Sequence, residues 1–540
     1  MWGLPYGLPY FVHPDESLLV PMAMGILAGD PNPHFFNWPN LYMYVLAAVF
    51  AARGWVLQAT GAVSAVDAFL RDPASFYFLG RLVTAALGTL TVGLVYLLGA
   101  RLYGRAVALA AGFFLAVNLQ HVVDSHFATT DVPMTVLAVA ALLATVRHGE
   151  RGGDGAALLA GVLGGLAASA KYNGALVGAA FPVALYLRAR APERPRWAGL
   201  RRAALVWVGG ALLGFLAGTP FAALAPGEFA HGLFGEVRAI RTTQFGNEGD
   251  LPGLGFHLLH SLPQAMGWPL LLCAGVGLGV ALWRHASADL LLLAFPLPYL
   301  AIIGTWSSRF ERYAVPLVPF ASLLAAVGLA ALTSRVLPRP WAARRGLAFA
   351  AAAVAVAGLP LVHVLRYEVL LARADSREVA ARWMEGNLED GSRVAMEPYS
   401  PPVSWRDEAG RVQRVTSPPL GSPPLPLAAR LPRPTAGRWA AGLKIAPLVD
   451  YDLARLRARG VRYVVLSSFM YKRHTESCAA FASACRFYRE LETQATLVYA
   501  IRPIAEERKL WVGDIYAPVS QVFARTRPGP IIKVYRLHDG

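Results

Sequence analysis

The sequence predicts an all-α polytopic membrane bundle followed by an extracytoplasmic α/β domain, and three observations carry that prediction. The 540-residue chain is 55% hydrophobic and only 16% charged, with a mean hydropathy of +0.43, too apolar for a string of soluble domains. Its apolar residues gather in long runs rather than in amphipathic stripes. Its arginines cluster in alternate connections between those runs, the bias expected of loops that stay on the cytoplasmic side.

A crossing helix needs about 20 mostly apolar residues, fewer where a segment is half-buried in a bundle. Ten stretches qualify: 80–100, 106–123, 132–146, 156–170, 173–187, 203–224, 266–283, 288–305, 313–333 and 346–365. An eleventh, Leu41 to Ala52, runs only about a dozen residues before Arg53-Gly54, a length that suits an interfacial helix. The arginine-bearing connections hold Arg101 and Arg105; Arg147 and Arg151; Arg188 through Arg202; Arg284; and Arg335 through Arg345. With these inside, the outer face receives the head (1–79), 121–131, Lys171-Tyr172, 225–265, 306–312 and everything after Arg366. Counting the eleventh stretch as a crossing would reverse that assignment. The division expected is therefore an outer first loop with interfacial helices (1–79), a transmembrane bundle of about ten helices (80–365) and an extracytoplasmic domain (366–540). The head begins at once with loop-like sequence, so an outer head implies either a first helix upstream of Met1 or translocation by the helix that follows.

The tail changes character. A helical pattern over 377–387 gives way to a proline-rich stretch, 398–434, that is not expected to form ladders or helix interiors. Beyond it, 453–459 reads as helix, while 463–467, 497–501 and 531–537 read as strands.

Charge and cysteines exclude several classes. The net charge of +16 and pI of about 10.0 would suit a nucleic-acid partner, but the basic residues sit in loops between apolar runs, so none is expected. Three cysteines exclude both a disulfide scaffold and a cysteine metal cluster. Cys478 and Cys485 stand seven apart, which permits a small disulfide in an oxidising compartment. Within the spans, ionisable groups lie near ends, Arg81 at an outer and Asp289 at an inner one. The midplane carboxylates of an ion-coupled transporter are missing.

Polar chemistry gathers instead in the outer connections. The first cluster is His13-Pro14-Asp15-Glu16, then Asp30, Asn32, His34, Asn37 and Trp38. Adjacent carboxylates on a turn point in different directions, so one can face a cavity and serve as general base toward a hydroxyl; alternatively Asp15 only caps the apolar helix after it. The second is His121, Asp124, His126, Thr129, Thr130 and Asp131. Asp131 suits a first-turn acid before Pro133, and two histidines with two aspartates leave a divalent cation open. The third joins Lys171-Tyr172-Asn173 to Arg309, Glu311, Arg312 and Tyr313: cations suited to a lipid phosphate at the bilayer surface, or simply snorkelling there.

The order HPDE, NPHFFNWPNLYMY, DSHFATTDVP, AKYNG and RFERYAVPLVP resembles glycosyltransferase family 39, relatives of the dolichyl-phosphate-mannose protein mannosyltransferases and of the lipid A aminoarabinose transferases, over roughly residues 1–365. The resemblance implies the C-type glycosyltransferase fold in a bacterial inner membrane, and transfer, with inversion, of a sugar from a polyprenyl phosphate to an acceptor hydroxyl on a glycan, lipid or protein. It implies that Asp15 is the base, with Glu16 beside it and Asp131 in a second acidic motif. It offers Lys171, Tyr172, Arg309 and Arg312 to the donor phosphate, and leaves His13, His34, Asn37, Asp124, His126 and Tyr313 as substrate-binding candidates. Where members that modify proteins or lipid A commonly carry paired prolines, this chain reads Trp38-Pro39-Asn40, so neither sugar nor acceptor is assigned. No phosphate-cradling glycine motif occurs in the cytoplasmic loops, and no organic cofactor is expected. Two other classes remain as alternatives: a lipid or sugar transporter, and a non-catalytic envelope scaffold.

Overall fold

The computed structural model describes residues 3–9, 12–61, 64–190, 197–242, 251–336, 345–406, 412–415, 443–505 and 512–538. The head folds into α1 (Glu16–Leu27), α2 (Leu41–Ala59) and α3 (Ala65–Arg71). The bundle continues with α4 (Ala74–Tyr103), α5 (Arg105–Ala116), α6 (Leu119–Ser125), α7 (Asp131–Arg151), α8 (Asp154–Ala170), a 3-10 segment Tyr172–Ala179, α9 (Ala180–Ala189) and α10 (Trp197–Gly218). It closes with α11 (Phe221–Leu224), α12 (Pro226–Arg241), α13 (Gly253–Phe256), a π turn His257–Ser261, α14 (Leu262–Arg284), α15 (Ser287–Leu293), α16 (Pro296–Ile303), a 3-10 segment Glu311–Leu317, α17 (Val318–Val336) and α18 (Arg345–Leu371).

Each expected crossing is helical, yet length separates them. Among the described residues seven helical segments are long and apolar enough to cross a membrane, or eight if the bent pair Arg105–Ala116 and Leu119–Ser125 forms one span. Asp154–Ala170 and Ser287–Ile303 are shorter apolar helices, and the 173–187 stretch divides between the 3-10 segment and α9. The head differs from expectation. Instead of stopping at Arg53, α2 runs 19 residues and is one of the seven. Arg53 does not end it because its guanidinium is received locally: Nη2 donates to Ser75 Oγ at 3.1 Å, and Cζ lies 5.0 Å from the Phe76 ring centre.

Small residues let the bundle close. At Gly165 an added Cβ would strike the Ala211 carbonyl, and at Gly214 the Val162 carbonyl, so α8 and α10 meet backbone to backbone. That approach is how helices gain van der Waals contact where lipid removes the hydrophobic drive between them. A core of buried residues from α4, α5, α7, α14 and α17 fills the centre and takes in Phe469 and Ile515 from the tail.

The tail opens with α19 (Ser376–Asn387) and builds a mixed five-stranded sheet. Its strands are β1 (Arg393–Met396), β4 (Lys444–Pro447), β5 (Val461–Ser467), β6 (Ala495–Ile501) and β7 (Ile532–Leu537), in the order β4-β1-β5-β7-β6. β1 runs parallel to β4 and β5, whereas β7 runs antiparallel to β5 and β6. The three strands read from sequence are β5, β6 and β7. Four-residue β1 and β4 escaped notice because short segments carry little alternation. Within the proline-rich stretch, β2 (Val403–Arg406) and β3 (Val412–Val415) pair antiparallel, contrary to expectation; neither contains proline, and the prolines lie outside the ladder. The rest of that stretch, 407–411 and 416–434, lies outside the described residues. Cys478 and Cys485 are joined, with an S–S distance of 2.10 Å.

Candidate active site

Asp15 stands at the N-terminus of α1, its side chain making no capping bond there. The capping alternative therefore does not account for the carboxylate. Its Oδ2 lies 3.1 Å from Arg312 Nη1, both side chains largely buried. Arg312 comes from the 3-10 segment Glu311–Leu317, whose start turns the chain after the aromatic loop 306–310. Its guanidinium lies 4.6 Å from the Phe310 ring centre and 4.1 Å from that of Tyr516. Although close to Asp15, Nη1 makes no well-directed hydrogen bond, so a buried donor is left for another acceptor.

Beside this pair stands a second. Asp131, in the first turn of α7, is 2% exposed, and its Oδ1 accepts from Lys171 Nζ at 2.6 Å. Lys171 follows the last turn of α8 in extended conformation, which carries its ammonium across to α7 and to within 5.1 Å of the Tyr313 ring centre. The two pairs sense each other. Burial pushes the Asp15 carboxyl above the usual aspartate range; Arg312 opposes that rise, Asp131 adds to it, Lys171 opposes it and Glu16 adds again. Burial likewise raises Glu236 of α12, which Lys171 and Arg312 counter and Asp15 reinforces.

Glu16 parts from its neighbour. Its carboxylate accepts Nε and Nη2 of Arg81 at 2.8 and 2.7 Å and the Ala128 N–H at 2.8 Å, with both side chains of the pair fully buried. Arg81 Nη1 donates to the Leu4 and Tyr6 carbonyls at 2.6 and 2.7 Å. The expected second catalytic carboxylate is thus committed to holding head, α4 and the 126–130 loop together.

The remaining candidates divide. His13 stacks on Phe127, with ring centres 4.4 Å apart, and meets Tyr516 at 5.5 Å; burial holds its imidazole well below the usual pKa, with Arg312 and Arg81 adding to that effect. Asp124 accepts from Gln120 Nε2 and, with His13 and Arg312, lines a small cavity of about 20 Å³, enough for one water. Tyr313 stays beside Lys171 and Arg312. The others are engaged elsewhere. His34 contacts Asp30 at 3.0 Å and Glu228 at 2.8 Å on a more open surface. Asn37 lies against Gly235 of α12. Tyr172 donates to the Phe36 carbonyl at 2.7 Å, His126 pairs with Glu368 at 2.9 Å, and Arg309 Nη1 donates to the Leu251 carbonyl. His121 contacts the Gly88 carbonyl at 3.1 Å, so the two histidines and two aspartates of the second cluster do not converge. Among the described residues no group of three or more His, Cys, Asp or Glu side chains is disposed to hold a metal ion.

Sequence reasoning missed Tyr516, Phe310, Gln120 and Glu236. Gln120 and Phe310 adjoin the second and third clusters but were passed over among their more reactive neighbours, whereas Glu236 and Tyr516 lie outside every cluster and only long-range packing brings them in.

Residues 77–222 match the family model described as dolichyl-phosphate-mannose-protein mannosyltransferase. The match spans 146 of the 540 residues, and over that segment the chain is similar to the protein mannosyltransferases. The chain is a multi-pass integral membrane protein. No curated protein matches it. Among solved structures, the oligosaccharyltransferase AglB from Archaeoglobus fulgidus aligns at TM-score 0.51 and 14% identity, over 92% of this chain and 70% of that one. ArnT from Cupriavidus metallidurans aligns at 0.48 and 16%, over 88% and 92%. The S. cerevisiae protein O-mannosyltransferase Pmt1-Pmt2 complex aligns at 0.32 and 20%, over 47% and 34%. The AglB likeness is one of fold.

Proposed function

We propose that this protein is an inverting glycosyltransferase, moving a sugar from a polyprenyl phosphate to an acceptor hydroxyl on the extracytoplasmic face of the bacterial inner membrane. The observation that carries the proposal is the buried Asp15–Arg312 pair standing beside Asp131–Lys171. A base and two cations at one site are what a single displacement from a lipid phosphate requires. The AglB structure, described in complex with an inhibitory peptide and a dolichol-phosphate, supports a polyprenyl phosphate as the donor.

Asp15 takes the acceptor's hydroxyl proton as that oxygen attacks the anomeric carbon. The bond from the anomeric carbon to the phosphate oxygen breaks, its electron pair leaves with the polyprenyl phosphate, and the configuration inverts. Arg312 and Lys171 receive the leaving phosphate, Arg312 through the donor it has not committed. An incoming phosphate competes with Asp15 for Arg312, so donor binding frees the carboxylate whose basicity burial has already raised. Asp131 keeps the Lys171 ammonium in place. The acceptor is a glycan, lipid or protein hydroxyl.

Two features support the sidedness. The arginine-rich connections alternate with those carrying the site, and the Cys478–Cys485 disulfide suits a tail in an oxidising compartment. On this reading α2, although long enough to cross, lies along the outer membrane surface, so that 1–79 is the outer loop, 80–365 the membrane bundle and 366–540 the extracytoplasmic domain.

The test incubates the full-length protein and its Asp15→Asn variant with a panel of undecaprenyl-phosphate-linked hexoses and pentoses and envelope extract, measuring released undecaprenyl phosphate and labelled acceptor. Wild type should turn over one member, and Asp15→Asn should lose about 100-fold or more. Undiminished transfer by Asp15→Asn overturns the assignment of the base; no turnover of any member overturns the activity.

A further inference from the structure

The chain between β6 and β7 does more than connect two strands. The 3-10 turn Val512–Ile515 leaves the sheet and enters the bundle, where Ile515 joins the central core. Asp514 anchors the turn: its carboxylate accepts the Ser520 N–H at 2.8 Å, Arg525 Nη2 at 2.9 Å and the Ser520 hydroxyl. Gly513 presses so closely on Glu311 that a Cβ would strike its carboxylate. Glu311 is held in turn by His260 at 2.9 Å. The next residue out of the turn, Tyr516, sets its ring over the Arg312 guanidinium, 4.1 Å from ring centre to Cζ. Phe310 also packs against the guanidinium at 4.6 Å, and the two rings meet edge to face at 5.6 Å.

A buried guanidinium has lost its water and gains from aromatic faces, which also fix the plane in which its donors point. We propose that Tyr516 is a positioning residue for sugar transfer: by stacking on Arg312 it sets that cation against Asp15, so the extracytoplasmic domain completes the active site. The proposal rests on the reading of Asp15 and Arg312 given above. It gives the domain a role that no motif in it announces, since the docked tail and not the bundle alone decides where Arg312 points.

The charged and titratable groups that bear on Asp15 are Arg312, Asp131, Lys171 and Glu16, with Glu236, Tyr399 and Tyr516 coupled to it as well. Of these, Arg312 is the strongest opponent of the burial that raises Asp15. Releasing Arg312 therefore lifts the carboxyl further and moves the acidic limb of the rate profile to higher pH.

The test compares Tyr516→Phe and Tyr516→Leu in the full-length protein, using the undecaprenyl-phosphate sugar that wild type turns over. Tyr516→Leu should lower kcat/KM about tenfold or more and shift the acidic limb upward, while Tyr516→Phe, which keeps the ring over Arg312 and gives up only the hydroxyl's hydrogen bond to it, should lose clearly less and keep the limb nearer its wild-type place. Asp514→Asn, which loosens the turn and leaves every group at Arg312 intact, should reproduce both changes and decides the matter should Tyr516→Leu fail to fold. Wild-type rate and pH profile in the leucine variant, or equal losses in the leucine and phenylalanine variants with an unmoved limb, overturn the proposal. An inactive Asp15→Asn beside an unaffected Tyr516→Leu sinks this inference alone; an active Asp15→Asn sinks the reading beneath it.

Discussion

Glu16 and Arg81 meet in a closed two-point ion pair, Nε to Oε1 at 2.8 Å and Nη2 to Oε2 at 2.7 Å, with neither side chain exposed. One residue earlier, Asp15 faces Arg312 instead. The pair is a structural clamp, and removing one half strands a buried charge. Arg81→Met should therefore destabilise the protein by about 3–5 kcal/mol, read as a lowered unfolding midpoint in detergent. Adding Glu16→Gln should recover much of that loss, since no carboxylate then lacks a partner. Equal stability of Arg81→Met and wild type would show that the clamp carries no weight.

Lys171 and Asp131 lead to a different expectation. Lys171→Met removes a cation assigned to the leaving phosphate and should lower transfer by about 100-fold or more. Lys171→Arg should retain more activity, because it keeps the charge beside Asp131. Kinetics with the lipid-linked donor distinguish the two, and a methionine variant as active as the arginine variant removes Lys171 from the phosphate site.

Glu397 sits deep in the C-terminal domain, accepting the Ser467 N–H at 2.9 Å and the Tyr488 hydroxyl. Burial pushes its carboxyl up to about 8, against the pull of hydrogen bonds from Tyr488, Ser467 and Tyr451. The folded protein thus holds a proton that the unfolded chain releases near the ordinary glutamate value. The stabilisation is complete below that value and is lost as pH rises through about 8. Hydrogen exchange of β5 amides in the full-length protein should accelerate from pH 5 to pH 8.5, beyond the intrinsic dependence. Glu397→Gln should flatten that excess. An unchanged excess in the variant would place the pH response elsewhere.

Long apolar runs determine that this chain enters a membrane, because the cost of unpaired backbone in hydrocarbon leaves helices as the open solution. The helical runs and strands β5, β6 and β7 were legible for the same reason: their patterning is local. Where a charge interrupted an apolar run, local reading failed. Arg53 shortened the expected helix on paper, while in the fold Ser75 and Phe76 receive it and α2 continues.

The polar clusters between the apolar runs were equally legible as places where chemistry gathers, and Asp15, Asp131, Lys171 and Arg312 were all named from them. Spacing left undecided which of two adjacent carboxylates meets a cation across the site, because Asp15 and Glu16 differ only in direction. Tertiary structure decided it by bringing Arg81 to one and Arg312 to the other. It also set His34, His126 and Arg309 to other work and brought in Tyr516 from the far end of the chain. Hydropathy and helix period are written in neighbouring residues and survive without a fold, whereas ion pairs and ring stacks join residues that only packing makes neighbours.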